Sequence, residues 1–264
     1  MTSKKGDLTS YAMFEGNAFH SINHKVVEEI RACIFLNGQE LATLMCSPHQ
    51  LDELAIGFLR SEELITSIED IASLTLSAQG TCIDVWLKNK LKEPPAHRIT
   101  TSGCGGGVTF DDLLKERMPL PPLTSITTAQ VGLQVKKLFQ AAILYKESRG
   151  IHASALSDGN ELLLVAEDIG RHNTIDRLWG QALKRGIDTE NRILICTGRI
   201  SSEMLGEAVK AKTPIIISCT SPTSLSIAMA CAWNITVVGY ARGGSFRIYS
   251  APSRIILSEQ IQQD

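Results

Sequence analysis

Beyond residue 160 the chain repeats one pattern: a short apolar run, a polar loop, then an amphipathic stretch. The runs LLLV (162–165), ILIC (193–196) and IIIS (215–218) are too short for core helices and carry almost no polar residue. Four apolar residues in a row suit a strand buried on both faces, as in a parallel sheet under helices. The pattern predicts strands at 162–167, 192–196, 215–219 and 236–240, with helices at 174–185, 202–212 and 223–233 between them. A short strand near 246–249 follows. Strand–helix alternation with short connections leaves few solutions besides a parallel or mixed sheet with covering helices.

The first half reads differently. Residues 1–25 are polar and irregular and are expected to be a loose lead-in. Residues 26–46 carry strand-like side chains around Asn37-Gly38, a pair that tolerates positive φ and marks a hairpin. Ser47-Pro48 is expected to open a helix, as cap and first-turn proline. Its buried stripe is Leu51, Leu54, Ala55, Phe58 and Leu59. Strands are expected near 71–77 and 81–88. The segment 118–126 (MPLPPLTSI) holds three prolines and reads as a linker or a wrapped crossing segment. A helix at 128–148 and two strands flanking Asp158-Gly159 complete the reading. The fold class is α/β: a mixed-sheet domain with covering helices over 126–264, and a smaller α+β domain over 1–120.

Composition limits the function. Hydrophobic residues make up 44% of the 264, enough for a sizeable core. The formal net charge of −2 gives no global basic field for nucleic acid, so anion binding must come from a local cluster. MTSKKGDLTS has no apolar run after its lysines, and the apolar stretch 225–240 is broken by Ser226, Asn234 and Thr236. Neither a secretory signal nor a membrane span is expected, and from the scattered cysteines a reducing cytoplasm is the expected location. The seven cysteines include no C-x-x-C, so neither a disulfide framework nor zinc is expected.

The polar residues that carry chemistry fall where each strand should end. EDIGRHN (167–173), TGRISSE (197–203), SCTSPT (218–223) and RGGS (242–245) follow the four apolar runs. In open α/β sheets, ligands sit at the carboxyl ends of strands, and helix N-termini attract anions. Arg171, Arg199 and Arg242 add forked donors suited to phosphate. Any one loop is explained by capping and turn chemistry; the four together indicate a pocket for an anionic, nucleotide-like ligand. No P-loop or G-x-G-x-x-G occurs after a strand. Separately, TTSGCGGG (100–107) places Cys104 between glycines, before a capping box at Thr109 and Asp112 that should open a helix at 110–117. A thiol near a helix N-terminus is favoured as thiolate. The other cysteines lie in apolar runs and read as core. His152-Ala153-Ser154 is close to the H-x-E of zinc deaminases but lacks its glutamate and cysteines. His172 is open to several roles. Asp168 and Asp176 are candidates to orient Arg171 or cap the next helix.

The strings TTSGCGGG, EDIGRHNTIDRLWGQAL, TGRISSEM, SCTSPTSLSIAMA and VVGYARGGSFRIYS, in that order, resemble the formate dehydrogenase accessory sulfurtransferase family (FdhD/NarQ), from about residue 30 to 250. The resemblance implies a cytidine deaminase-like carboxy-terminal domain, a homodimer, and a sulfurtransferase. Sulfur would pass from a cysteine desulfurase to a cysteine persulfide. It would then reach the molybdenum bis-pyranopterin guanine dinucleotide (Mo-bis-MGD) destined for formate dehydrogenase. By position, Cys104 matches the persulfide cysteine. Tyr240, Ala241, Arg242, Gly243, Gly244 and Ser245 match the cofactor-binding segment. Arg171, His172, Arg199, Ser201, Ser202 and Thr220 fall in motifs that line the nucleotide pocket. The family loop commonly has a second cysteine where this chain has Gly107. Two other readings stand beside this one: a chaperone that holds bis-MGD without handling sulfur, and an unrelated nucleotide-dependent transferase.

Overall fold

The computed structural model describes residues 9–24, 26–77, 80–89, 99–101 and 117–258. The expected loose lead-in is instead a hairpin. β1 (Thr9–Glu15) and β2 (Ala18–His24) pair antiparallel across Gly16 and Asn17, both at positive φ. The residues flanking that Gly-Asn turn alternate poorly between apolar and polar, so the hairpin has little sequence signature. The hairpin buries almost nothing, and Phe14 and Phe19 lean on each other at 5.3 Å between ring centroids.

β3 (Ile30–Leu36) and β4 (Gln39–Cys46) form the predicted second hairpin, with Asn37 and Gly38 both at positive φ. After them comes helix α1 (Leu51–Ser61), then β5 (Ile71–Leu76), β6 (Cys82–Leu87) and β7 (Ile99–Thr101). The sheet order is β5-β6-β3-β4-β7. Ala32, Ile34, Leu36, Ile83 and Val85 alternate inward onto Leu54, Ala55, Phe58 and Leu59 of α1. The helix does not open at Ser47-Pro48. It starts at Leu51 behind Gln50, which sits at φ 48° and makes no side-chain cap.

Residues 118–125 form neither helix nor strand, as a linker should, yet Leu120 is tied down through its amide to the Trp233 carbonyl at 2.9 Å. β8 (Ile126–Thr127) follows, and the long helix expected at 128–148 is two: α2 (Thr128–Ala141) and α3 (Ile143–Ser148). The break has a cause. The Glu167 carboxylate accepts from the amides of Leu144 (3.1 Å) and Tyr145 (2.7 Å), which starts a new helix there. The strands β9 (His152–Ser157) and β10 (Leu162–Asp168) form the predicted Asp158-Gly159 hairpin. Then follow α4 (Arg171–Arg185), β11 (Ile193–Cys196), α5 (Ser202–Lys210), β12 (Ile215–Ser218), α6 (Ser224–Ala232), β13 (Thr236–Arg242) and β14 (Ser245–Ser250). β15 (Ile255–Ile256) pairs with β8. Helix α4 begins three residues before the sequence suggested, behind Gly170, so Arg171 and His172 stand in its first turn.

The larger sheet is mixed, in the order β10-β9-β11-β12-β13-β14. β11, β12 and β13 are parallel, and β9 runs against both β10 and β11. The carboxyl ends of β10, β11, β12 and β13 therefore share one edge. Alternate strand residues face opposite cores. Leu194 and Ile216 pack with Ile175, Leu178, Leu205 and Ala230 of α4, α5 and α6. Ile193, Ile195 and Ile217 pack with Val131, Val135 and Leu138 of α2. The fold is α/β, as expected.

The two sheets are joined by helix packing and a buried ion pair. α1 and α4 touch backbone to backbone at two glycines: a Cβ on Gly57 would lie 1.6 Å from the Asp176 carbonyl, and one on Gly180 would lie 1.9 Å from that of Glu53. Alongside, Arg177 Nη2 meets Asp168 Oδ2 at 2.6 Å, both side chains fully buried. The rest of the guanidinium donates to the carbonyls of Ser47 (2.9 Å), Gln50 (2.9 Å) and His49. Asp168 accepts from the amides of Ser47 and Gly170 and from Asn173 Nδ2. With Ser47 held on both sides, residues 47–50 cannot wind into helix, which explains the late start of α1. Asp168 thus orients Arg177, not Arg171. Asp176 is buried nearby and accepts from Ser61 Oγ at 2.7 Å. Removing one partner of a buried ion pair strands the other charge. Arg177→Ala is therefore expected to cost about 3–5 kcal/mol in denaturant unfolding; a loss under about 1 kcal/mol, the scale of an exposed pair, would contradict the assignment.

Burial pushes the Asp176 carboxyl up from 3.8 to about 7, and Glu207 close by is raised for the same reason. Between those values the folded state keeps the Asp176 proton while the unfolded state sheds it, so stability falls as pH rises through that window. Urea midpoints at pH 5 and pH 8 should show the drop, and Asp176→Asn should shrink it. An equal drop in the variant would rule out Asp176 as its source.

Candidate functional site at the carboxyl edge of the mixed sheet

Each loop at the shared edge is shaped by its own residues. Ser218 Oγ donates to the Gly198 carbonyl at 2.6 Å and accepts from the Thr220 amide at 3.0 Å, tying the β11 loop to the β12 loop. The Tyr240 amide donates to the Thr220 carbonyl at 3.0 Å, and Arg242 Nε to the Cys219 carbonyl at 3.0 Å, which ties in β13. Gly239 makes that approach possible, since a Cβ there would lie 2.9 Å from the Thr220 carbonyl. Tyr240 holds a left-handed φ of 53° with the Arg247 guanidinium 4.5 Å over its ring. Ala241 is buried, while Arg242, Gly243, Gly244 and Ser245 form an exposed tight turn in which Ser245 Oγ bonds the Arg242 carbonyl at 3.2 Å.

Beside this turn lies a cavity of about 780 Å³. Thr197, Cys219, Arg242, Gly243 and Gly244 form its sheet side, and Gly132, Lys136, Phe139 and Gln140 of α2 with Tyr145 and Arg149 form the other. Space over Gly243 and Gly244 is open, as a Cβ on either would meet nothing within 4 Å. Three cationic side chains, two small open residues and aromatic walls make a site of ordinary ligand size suited to a polyanion with a flat apolar part. Of the residues expected from sequence, Arg242, Gly243 and Gly244 line it; Lys136, Tyr145 and Arg149 were missed. Gly132, Lys136 and Gln140 lie four apart on one face of α2, a readable stripe, but nothing in the sequence says which layer that helix joins.

The other expected residues gather on the opposite side of the edge, where α4 and α5 begin. His172 Nε2 lies 3.1 Å from Glu203 Oε2 and 3.3 Å from Ser201 Oγ, and this contact holds the Glu203 carboxyl below its ordinary value. Ser201 also caps α5 through the Met204 amide, and Ser202 is the first residue of that helix. Arg171 opens α4 with its Nε buried and unpaired, against Gly198. Arg199 is exposed on the same loop, and Thr220 is half-buried after β12 with its hydroxyl 3.1 Å from Ser218 Oγ. His152 lies 3.4 Å from Thr197 Oγ1 and is lowered by burial and then by Arg171. Much of EDIGRHNTIDR is thus joint rather than pocket, through Asp168, Asn173 and Arg177.

Burial raises the thiols of Cys46 and Cys196 to about 12 and Cys219 to about 11, as fits core residues, but Cys231 is exposed, against expectation. Cys104 and its glycines lie outside the described residues. So does the helix expected at 110–117, apart from Arg117, which is in neither helix nor strand. Thr101, three residues before Cys104, ends β7, which runs parallel to β4 with Thr101 opposite Leu44. β4 leads directly into the 47–50 corner held by Asp168.

Comparison with known proteins agrees over nearly the whole chain. The FdhD/NarQ family matches residues 27–256. Two proteins named Sulfur carrier protein FdhD, from Staphylococcus aureus strains MRSA252 and bovine RF122 / ET3-1, are each 36% identical over 253 residues, covering 94% of this chain and 95% of theirs. A crystal structure assigned as a formate dehydrogenase accessory protein from Desulfotalea psychrophila has the same fold. Its TM-score is 0.80 at 24% identity, covering 94% of this chain and 98% of that one. On the extent of the family match and the identity of these relatives, this chain belongs to the FdhD/NarQ family.

Proposed function

We propose that this chain is a sulfur carrier for formate dehydrogenase. Cys104 takes sulfur as a persulfide from a cysteine desulfurase and hands it to Mo-bis-MGD, its substrate rather than its resident cofactor. The observation that carries the reading is the cavity at the carboxyl edge, with Arg242, Lys136 and Arg149 around an open Gly243–Gly244 turn. Its charge and size fit one guanosine diphosphate arm of that substrate. The names of the 36% identical relatives support the sulfur step.

The topology supports this reading through the strand that precedes Cys104 in sequence. β7 runs toward the same corner as β4, and that corner is bonded to the end of β10 at the shared edge. The proposed transfer starts when the Cys104 thiolate attacks the outer sulfur of the donor's persulfide. The donor cysteine leaves as thiolate; an electron-pair donor on the substrate held in the cavity then attacks the outer sulfur of the Cys104 persulfide, the S–S bond breaks, and Cys104 leaves as thiolate. One thiol is enough to carry one sulfane sulfur, so Gly107 in the second cysteine position is compatible with the scheme.

Two outcomes are expected. After incubation with a desulfurase and cysteine, intact mass should rise by one sulfur atom in the natural chain and not in Cys104→Ala. The same gain in the variant would remove Cys104 from the reaction. Calorimetry with GDP should show Arg242→Ala and Lys136→Ala each weakening binding about 10- to 100-fold, the scale of a charge-assisted hydrogen bond to phosphate. Unchanged affinity in both would displace the ligand from this cavity.

A further inference from the structure

The smaller sheet carries a pair of thiols that the proposed sulfur transfer does not use. β3 and β6 are parallel neighbours, and Cys33 is the register partner of Cys82. The Cys33 amide donates to the Thr81 carbonyl at 2.9 Å, which fixes that register. Registered residues on adjacent parallel strands project from the same face, with strands about 4.8 Å apart. That spacing falls inside the roughly 4.4–6.8 Å Cα separation a disulfide spans. Ala32, Ile34 and Ile83 point to the core under α1, so the alternation turns Cys33 and Cys82 to the opposite face of the sheet, where both are half-buried. Partial burial, and then the Cys82 sulfur beside it, hold the Cys33 thiol above its ordinary value; Glu40 adds to this and Arg31 opposes it. The remaining described cysteines differ: Cys46, Cys196 and Cys219 are buried, and Cys231 is exposed on a helix.

We propose that Cys33 and Cys82 form a redox-active dithiol that closes to a cross-strand disulfide when it meets a low-molecular-weight disulfide. The Cys82 thiolate attacks one sulfur of oxidised glutathione, forming a mixed disulfide and releasing one glutathione thiolate. The Cys33 thiolate attacks the Cys82 sulfur and expels the second. The pair loses two electrons and two protons, and one oxidised glutathione becomes two reduced. The chain thereby gains a two-electron switch on a face separate from the cavity.

The full chain is incubated with oxidised glutathione, remaining thiols are alkylated, and peptides are mapped by mass spectrometry. Exposed Cys231 reports whether the reagent has acted. The expected result is a linked peptide pair carrying Cys33 and Cys82 with no glutathione on either, reopened by dithiothreitol. In Cys33→Ser, glutathione should stay on Cys82. The proposal is overturned if Cys231 is modified while Cys33 and Cys82 both remain alkylatable. It is equally overturned if glutathione persists on Cys82 in the unaltered chain without a linked peptide.

Discussion

The Asp168–Arg177 pair is the contact on which the arrangement of this molecule depends. Asp168 is the last residue of β10, at the edge that builds the cavity. Arg177 spends its donors on the carbonyls of residues 47, 49 and 50, where the smaller sheet passes into α1. One ion pair therefore fixes the end of a strand in one sheet to a corner of the other. A buried pair of this kind is weak evidence for net stability, because desolvation offsets most of the attraction. Its value here is positional: every lone pair of Asp168 and the whole guanidinium fork are committed to one geometry. The Gly57 and Gly180 contacts allow α1 and α4 to come close enough for that geometry to form.

From this joint the site follows in layers. The mixed sheet brings four strand ends to one edge, and serine and threonine hydroxyls tie the loops to one another. One side of the edge, with α2 and α3, has the cavity, the cations and the open glycine turn. The other side, with α4 and α5, has the His172–Glu203–Ser201 contact and the buried, unpaired Arg171 Nε. The Glu167 carboxylate ties the end of β10 to the start of α3. By splitting the long helix at Ala142 it sets α3, and with it Tyr145 and Arg149, over the cavity mouth.

Much of this was legible beforehand. The apolar runs at 193–196 and 215–218 gave strands buried on both faces, and Asn37-Gly38 gave its hairpin because positive φ is a local property. The clustering of Arg242, Gly243 and Gly244 at a strand end was also readable. What escaped notice was tertiary. Lys136 and Arg149 reach the site only because α2 lies on a particular face of the sheet, and local periodicity does not encode the face. Within EDIGRHNTIDR, Asp168, Asn173 and Arg177 build the joint, a role local sequence does not separate from ligand binding because buried ion pairs and phosphate sites use the same residue types. Ser47-Pro48 looked like a helix start, but the pull of Asp168 and Arg177 on Ser47 overrode the capping preference.

In the proposed function, the guanosine diphosphate arm of the substrate lies between the Gly243–Gly244 turn and α2. A crystal structure of the chain with GDP tests it most directly. The expected result is a diphosphate within hydrogen-bond distance of Arg242 and Lys136, with the base toward Phe139 or Tyr145. A diphosphate held instead by Arg171 and Arg199 at the start of α4 and α5, with the α2 side empty, would contradict it.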